Sequence, residues 1–164
     1  MRLEGKSIVV TGASAGMGQA IVTRFVEEGA CVVAVARRKE RLEELAAELK
    51  DAPGKIAIYA GDVSDPATCE GMIDLAVKEF GRLDVLVNNA GIMDDNTAVG
   101  DMSDEMMEKM FKVNSFAPLY AMRKAVKVFL EQDDESGNII NVTSVGAVHQ
   151  TAGVAYCASK AAIA

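Results

Sequence analysis

The chain has 164 residues, half of them apolar and a quarter charged, which is the composition of one globular domain long enough to bury a sizeable core. Its formal net charge of −7 argues against nucleic acid as the main partner, because phosphate binding needs a basic surface. Cys31, Cys69 and Cys157 lack C-x-x-C spacing, so no metal site and no disulfide framework is expected; with no bilayer-length apolar run and no signal peptide, the expectation is a cytoplasmic protein with reduced thiols.

Ser7–Thr11 (SIVVT) reads as a short strand buried on both faces. It runs into Gly12-Ala-Ser-Ala-Gly16-Met-Gly18 and then a helical pattern, with Met17, Ile21 and Phe25 beside Val22 and Val26, closed by Gly29. A strand, a glycine-rich turn and a helix start make an anion site, in which backbone N–H groups and the helix dipole face a pyrophosphate. The spacing is G-x-x-x-G-x-G rather than the commoner G-x-G-x-x-G, and a plain tight turn is the alternative reading.

Cys31–Val35 is the second strand and ends at Ala36-Arg37-Arg38-Lys39. Where an NAD site places a carboxylate for the ribose 2′-hydroxyl, this chain has Ala36 followed by Arg37. A guanidinium matches a phosphate bidentately. Arg37, with Arg38 in support, therefore points to NADP(H) over NAD(H). Lys39 and Arg41 read as the start of a solvated helix that carries Leu42, Leu45 and Leu49 on its inner face.

Lys55–Ala60 is a third strand leading to Gly61-Asp62-Val63. Asp65 then serves as N-cap, Pro66 as the first helical residue, and Gly81 as the stop after Phe80. Leu83–Val87 is the fourth strand and delivers Asn88-Asn89-Ala90-Gly91 at its carboxyl end. Ligands of open α/β sheets bind outside the carboxyl ends of strands, so Asp62 and this turn are both placed to touch a dinucleotide. A helix from Ser103 carries Met106, Met107, Met110 and Phe111, and its methionines read as core or subunit contact. Asn114 interrupts the apolar face before Pro118, which is expected to kink the helix on its way to Leu130.

Asn138–Val142 is the fifth strand, and its end presents Thr143 and Ser144. Tyr156 and Lys160 stand four apart, one above the other on a helix. An ammonium that close to a phenol favours the phenolate, which general acid–base work on an alcohol or carbonyl requires. Ser144 is placed to hold the oxygen whose proton moves. Taken alone, Y-x-x-x-K also fits a solvated helix. Strands alternating with helices imply an α/β fold, a doubly wound parallel sheet with right-handed crossovers, as a single domain over residues 1–164.

With T-G-x-x-x-G-x-G at Thr11–Gly18, N-N-A-G at Asn88–Gly91, Asn114, Ser144 and Y-x-x-x-K at Tyr156–Lys160, the chain resembles the short-chain dehydrogenase/reductase family over its whole length. The resemblance implies a Rossmann-type sheet of strand order 3-2-1-4-5 binding a nicotinamide cofactor. Gly12, Ser14, Gly16, Met17 and Gly18 would cradle the diphosphate. Asp62 and Val63 would flank the adenine, and Asn89, Ala90 and Gly91 would lie along the ribose and nicotinamide. Tyr156 would be the acid/base, Lys160 would lower its pKa and hold the ribose, Ser144 would orient the substrate oxygen, and Asn114 would anchor a water in a proton relay.

The expected activity is hydride transfer between NADP(H) and a ketone or secondary alcohol, in a homodimer or homotetramer at full length. An epimerase or dehydratase using the same pair, and a nucleotide-binding module without turnover, are the alternatives. Hydroxysteroids, 3-oxoacyl thioesters, sugars and small xenobiotic ketones all fit as substrates. Three features depart from the family pattern. The loop from Ser144 to Tyr156 is one residue short, which keeps Thr143 as a second candidate for the serine role. Ala15 stands where many NADP-using relatives have a basic residue. Finally, family members continue beyond the point where this sequence stops, so the family's C-terminal strands are expected to be missing, and the 164 residues alone are expected to turn over poorly. Met93 and Asp94 fall where relatives contact substrate; His149 reads as a surface residue and Cys157 as a packing one.

Overall fold

Continuous runs of β-branched residues, too short for helices, become strands when helices cover both of their faces. In a computed structural model, which describes residues 1–164, the strands are β1 (Ser7–Thr11), β2 (Cys31–Ala36), β3 (Lys55–Ala60), β4 (Val85–Asn88) and β5 (Asn138–Asn141). They form one sheet in the order β3-β2-β1-β4-β5, all parallel. Val9 of β1 stands level with Val33 of β2 and with Leu86 of β4. The doubly wound sheet is as expected from the alternation of elements, and its strand order is the one the family resemblance implies.

Alternate residues of β1 and β2 feed two separate cores. Ile8, Val10, Val32 and Ala34 pack with Val22 and Val26 of α1 (Gly16–Glu27) and with Leu42 and Leu45 of α2 (Lys39–Glu48). Val9, Val33 and Val35 face the other way, onto Met72, Ile73 and Ala76 of α3 (Pro66–Phe80) and Ala117, Ala121 and Ala125 of α5 (Ala117–Glu131). Each fully buried aliphatic side chain is worth roughly 1.5–3 kcal/mol, so these two layers hold the strand ends in place. The buried stripe of α1 is Gly18, Val22 and Val26, and Met17, in the first turn beside the glycine motif, is 62% exposed. Of the methionines after Ser103, Met110 alone is buried, while Met107 is exposed.

Strand ends shift by a residue or two from expectation. β2 runs on to Ala36 and β5 stops at Asn141. β4 runs from Val85 to Asn88; just before it, the Asp84 carboxylate accepts from Ser7 N at 2.9 Å and Lys6 Nζ at 3.1 Å and pairs with Arg82 at 3.1 Å. A larger difference concerns Pro118. α4 (Asp104–Phe111) continues through a π-helical segment, Lys112–Phe116, into α5. Pro118 follows directly on this segment, as the second residue of α5, and has no N–H to continue the helical ladder. The widened turn takes up the irregularity expected of the proline, and it directs Asn114 and Ser115 inward, where both are buried. No helix is long and apolar enough to cross a membrane.

α3 begins and ends as its sequence requires. The Asp65 carboxylate accepts from Ala67 N at 3.0 Å, and Gly81 closes the helix in the left-handed region at φ 81°. Asp65→Ala is expected to lower stability by about 1 kcal/mol, the usual worth of an N-cap. Urea unfolding followed by circular dichroism checks this, and an unchanged midpoint would show the cap to be idle.

Candidate active site

The strand order reverses between β1 and β4, so a crevice opens at the carboxyl ends of these two strands. Its floor is two turns in close contact. Gly12 leaves β1 in the left-handed region, φ 72°, and a Cβ there would stand 2.8 Å from Asn89 Nδ2. A Cβ on Gly18 would stand 2.1 Å from the Gly12 carbonyl oxygen and 2.5 Å from the same Asn89 nitrogen. Thr11 joins the turns. Its Oγ1 accepts from the backbone N–H of Asn89 and of Ala90, each at 3.0 Å, and its carbonyl accepts from Asn89 Nδ2 at 2.8 Å.

Above this floor lies a cavity of about 480 Å³, within the ~300–1,000 Å³ common for small-molecule sites. Gly12, Ser14, Arg37, Arg38, Asp62, Val63, Ala90 and Gly91 line it, as expected from the sequence. Arg38 Nη2 donates to Ser14 Oγ at 3.2 Å, tying the end of β2 to the glycine turn. Asp62 accepts from Ser64 N at 2.9 Å. Desolvation works to raise its pKa, but the Ser64 hydrogen bonds and the charges of Arg37 and Lys109 outweigh it and hold the carboxyl below the usual value. Lys109 and Lys112, on the wall made by α4 and the π segment, are cavity residues that strand-end reasoning did not reach. The cavity is thus lined by acidic side chains, Asp62, Glu105 and Glu108, as well as by basic ones, Arg37, Arg38, Lys109 and Lys112.

The remaining residues gather beside this cavity rather than in its wall. Asn114 is fully buried and bridges two elements. Its Oδ1 accepts from Ile92 N at 2.9 Å, while Nδ2 donates to Ile92 O at 2.9 Å and to Ser159 Oγ at 3.0 Å. Both amide protons are thus used inside the protein. Ser159 belongs to α6 (Val154–Ala161), which carries Tyr156 and Lys160 one turn apart. Lys160 is 5% exposed and its Nζ donates to Val142 O at 2.9 Å. Burial pushes this ammonium below the ordinary lysine value. A Cβ on Gly91 would stand 3.1 Å from Lys160 Nζ and 3.4 Å from Asn114 Oδ1, so the bare backbone of Gly91 lets both approach the turn. Tyr156 is half-buried. Ser144, also half-buried, accepts from Gly146 N at 3.0 Å and so caps a single 3-10 turn, Val145–Ala147. Thr143 beside it is exposed.

Asn89 is engaged through its side-chain nitrogen in holding the β1 end. Asp94 is buried, with its carboxylate on the backbone of α6. Strand-end reasoning does not reach Thr11 or Ser159; Thr11 carries a signal as the first letter of the glycine motif, while Asp94, expected near substrate, caps α6 instead. Gly18→Ala is expected to cost about 2–3 kcal/mol or more, as overpacking against fixed backbone does, whereas Gly100→Ala, with open space around it, stays within about 0.5 kcal/mol. Urea denaturation of the two variants decides it, and equal midpoints would contradict the tight approach of the two turns.

Comparison with known proteins agrees with this geometry. The short chain dehydrogenase family model matches residues 6–164. A protein named 3beta-hydroxysteroid dehydrogenase 2, from Eggerthella lenta, is 42% identical over 98% of this chain and 62% of its own. A 3-oxoacyl-[acyl-carrier-protein] reductase, FabG, from Thermotoga maritima is 37% identical over 99% of this chain and 65% of its own. The crystal structure of a short chain dehydrogenase from Mycobacterium smegmatis superposes with a TM-score of 0.92 at 34% identity, covering 99% of this chain and 68% of that one. The chain thus spans a little under two thirds of the length of these curated relatives. On its glycine turn, its sheet order and a family match running from Lys6 to its last residue, this chain belongs to the short-chain dehydrogenase/reductase family.

Proposed function

We propose that the protein is an NADP(H)-dependent oxidoreductase acting on a ketone or secondary alcohol, with Tyr156 as acid/base. The observation that carries the reading is the meeting of Lys160 and Asn114 at Gly91, which brings the helix bearing Tyr156 to the turn at the end of β4. Family membership implies a nicotinamide dinucleotide. Gly12, Ser14, Gly16, Met17 and Gly18 would hold its diphosphate, Asp62 and Val63 its adenine, and Asn89, Ala90 and Gly91 its nicotinamide half. When bound, the nicotinamide gives or takes the hydride.

The chain's own residues manage the proton. In reduction, the Tyr156 hydroxyl donates to the carbonyl oxygen as negative charge develops there; a donor placed where charge appears is the main electrostatic contribution to such a step. In oxidation, the phenolate takes the proton of the alcohol. Lys160 has one N–H on Val142 O, which leaves two for the ribose hydroxyls. The Ser144 oxygen accepts from Gly146 N and its own proton is free for the substrate oxygen. Thr143 is the second candidate for that role. Asn114 keeps one acceptor lone pair on Oδ1 for a water.

Relatives named for a 3β-hydroxysteroid and for a 3-oxoacyl group support a substrate that interconverts ketone and secondary alcohol. Exposed Leu119, Val126 and Leu130 lie along one face of α5 and, with Phe116, support self-association of the full-length protein. NADP(H) is favoured over NAD(H) because Arg37 and Arg38 both line the cavity and no carboxylate stands at Ala36.

NADPH is expected to bind at least tenfold more tightly than NADH, since a lost charge-assisted phosphate contact costs roughly 1.5–3 kcal/mol. Calorimetric titration measures this; equal affinities, or an affinity unchanged in Arg37→Ala, would remove the case for NADP(H). In the full-length protein, Tyr156→Phe is expected to lower kcat by about a hundredfold or more with cofactor affinity nearly intact. Ser144→Ala should cost less than Tyr156→Phe and more than Thr143→Ala. Retained turnover in Tyr156→Phe would overturn the assignment of the proton donor.

A further inference from the structure

α6 starts without a capping side chain of its own. Its N-cap is Gly153, with extended backbone at φ −62° and ψ 158°, so the amides of the first turn need an acceptor from elsewhere. Asp94 supplies it. This residue is 6% exposed and stands three positions beyond Gly91. Its Oδ1 accepts from Gly153 N and its Oδ2 from Tyr156 N, both at 3.1 Å. In the usual capping box two side chains divide this work, one accepting the N-cap amide and the other the third helical amide. Here one carboxylate, 59 residues upstream of Gly153, accepts both, with its charge at the positive end of the helix dipole.

The fit tolerates no side chain at the N-cap, because a Cβ on Gly153 would stand 2.2 Å from Asp94 Oδ2. The carboxylate is also held from its own loop, where Oδ1 accepts from Asn96 N at 3.4 Å. Tyr156 is the third residue of α6, so the residue that presents the phenol is the one whose amide Asp94 grips.

We propose that Asp94 is a positioning residue: by capping α6 from across the chain, it sets Tyr156, and Lys160 one turn on, against the Asn89–Gly91 turn. The proposal rests on the reading of Tyr156 and Lys160 as the proton-transfer pair. The Asn114 bonds to Ile92 and Ser159 tie the same two elements further along the helix. Loss of Asp94 therefore frees the first turn of α6 without releasing the helix.

The test uses Asp94→Ala, Gly153→Asp and the two together, in the full-length protein. Asp94→Ala removes the cap; Gly153→Asp alone drives a second carboxylate onto the first. The double variant opens the space and puts an aspartate at the N-cap, the favoured residue for capping the Tyr156 amide locally. Asp94→Ala is expected to speed amide exchange at Tyr156 by about tenfold, as loss of a strong cap does. It is also expected to lower kcat for ketone reduction by about tenfold or more through misplacement of the donor, with NADPH affinity unchanged within about twofold. Gly153→Asp alone is expected to be at least as impaired as Asp94→Ala, and the double variant is expected to regain most of both exchange protection and kcat.

Unchanged exchange or unchanged kcat in Asp94→Ala would overturn the proposal. So would a double variant that regains protection without regaining kcat, because capping would then not be what the reaction needs. If the unmodified full-length protein reduces no ketone, the functional reading fails by itself, and exchange at Tyr156 alone decides whether Asp94 sets the helix.

Discussion

The backbone of the turn after β1 touches the turn after β4, and the carboxyl end of the sheet is built on that contact. It requires hydrogen in place of a methyl group at Gly12 and Gly18, since a Cβ at either would fall within 3 Å of Asn89 Nδ2. Once the turns are this close, their polar groups must find partners in each other, because water is excluded between them. Thr11 meets that demand with one hydroxyl and one carbonyl. The cavity floor is consequently backbone, and the charged groups that line the cavity come from the ends of β2 and β3, at Arg37, Arg38 and Asp62, and from the α4 side, at Glu105, Glu108, Lys109 and Lys112.

A second constraint holds α6. Among the residues of this helix, Ala155, Ser159 and Lys160 are the buried ones, so little large apolar surface fastens it to the domain. Directional polar bonds do so instead. Asp94 grips its first turn, Asn114 reaches Ser159, Ser115 Oγ donates to Ser159 O at 2.8 Å, and Lys160 reaches Val142 O. Hydrogen bonds are directional and weaken steeply once the donor angle falls below about 120°. A helix fastened by several of them is held in one orientation, as a pair of groups intended for proton transfer would need. The π segment belongs to this scheme, since the widened turn puts Asn114 and Ser115 side by side on the inner surface.

The legible features of the site were those set by local chemistry. Five strands, the capped start of α3 at Asp65, its glycine stop and the run of residues along the cavity could be read from periodicity, N-cap chemistry and the rule that ligands meet strand carboxyl ends. Pro118 was read as a kink because a proline within a helical pattern removes a donor; the neighbouring π segment, which sequence periodicity does not reveal, absorbed that defect. Met17 shares the apolar pattern of α1 but faces solvent at the helix start, beside the glycine turn.

What the sequence by itself determined is the order of elements, their bounds to within a residue or two, and the chemical types at the ends of β1, β2 and β4. Each of these depends on neighbours within a few positions, where spacing is the geometry. What only the tertiary structure decided is which polar groups meet across long separations. Asn89 closes on Thr11, 78 residues away, and Asp94 on Tyr156, 62 residues away. Such pairs leave no periodic trace, because they follow from how the packed layers bring loops together, and a buried carboxylate or amide takes its partner from whatever donor the finished fold places within reach.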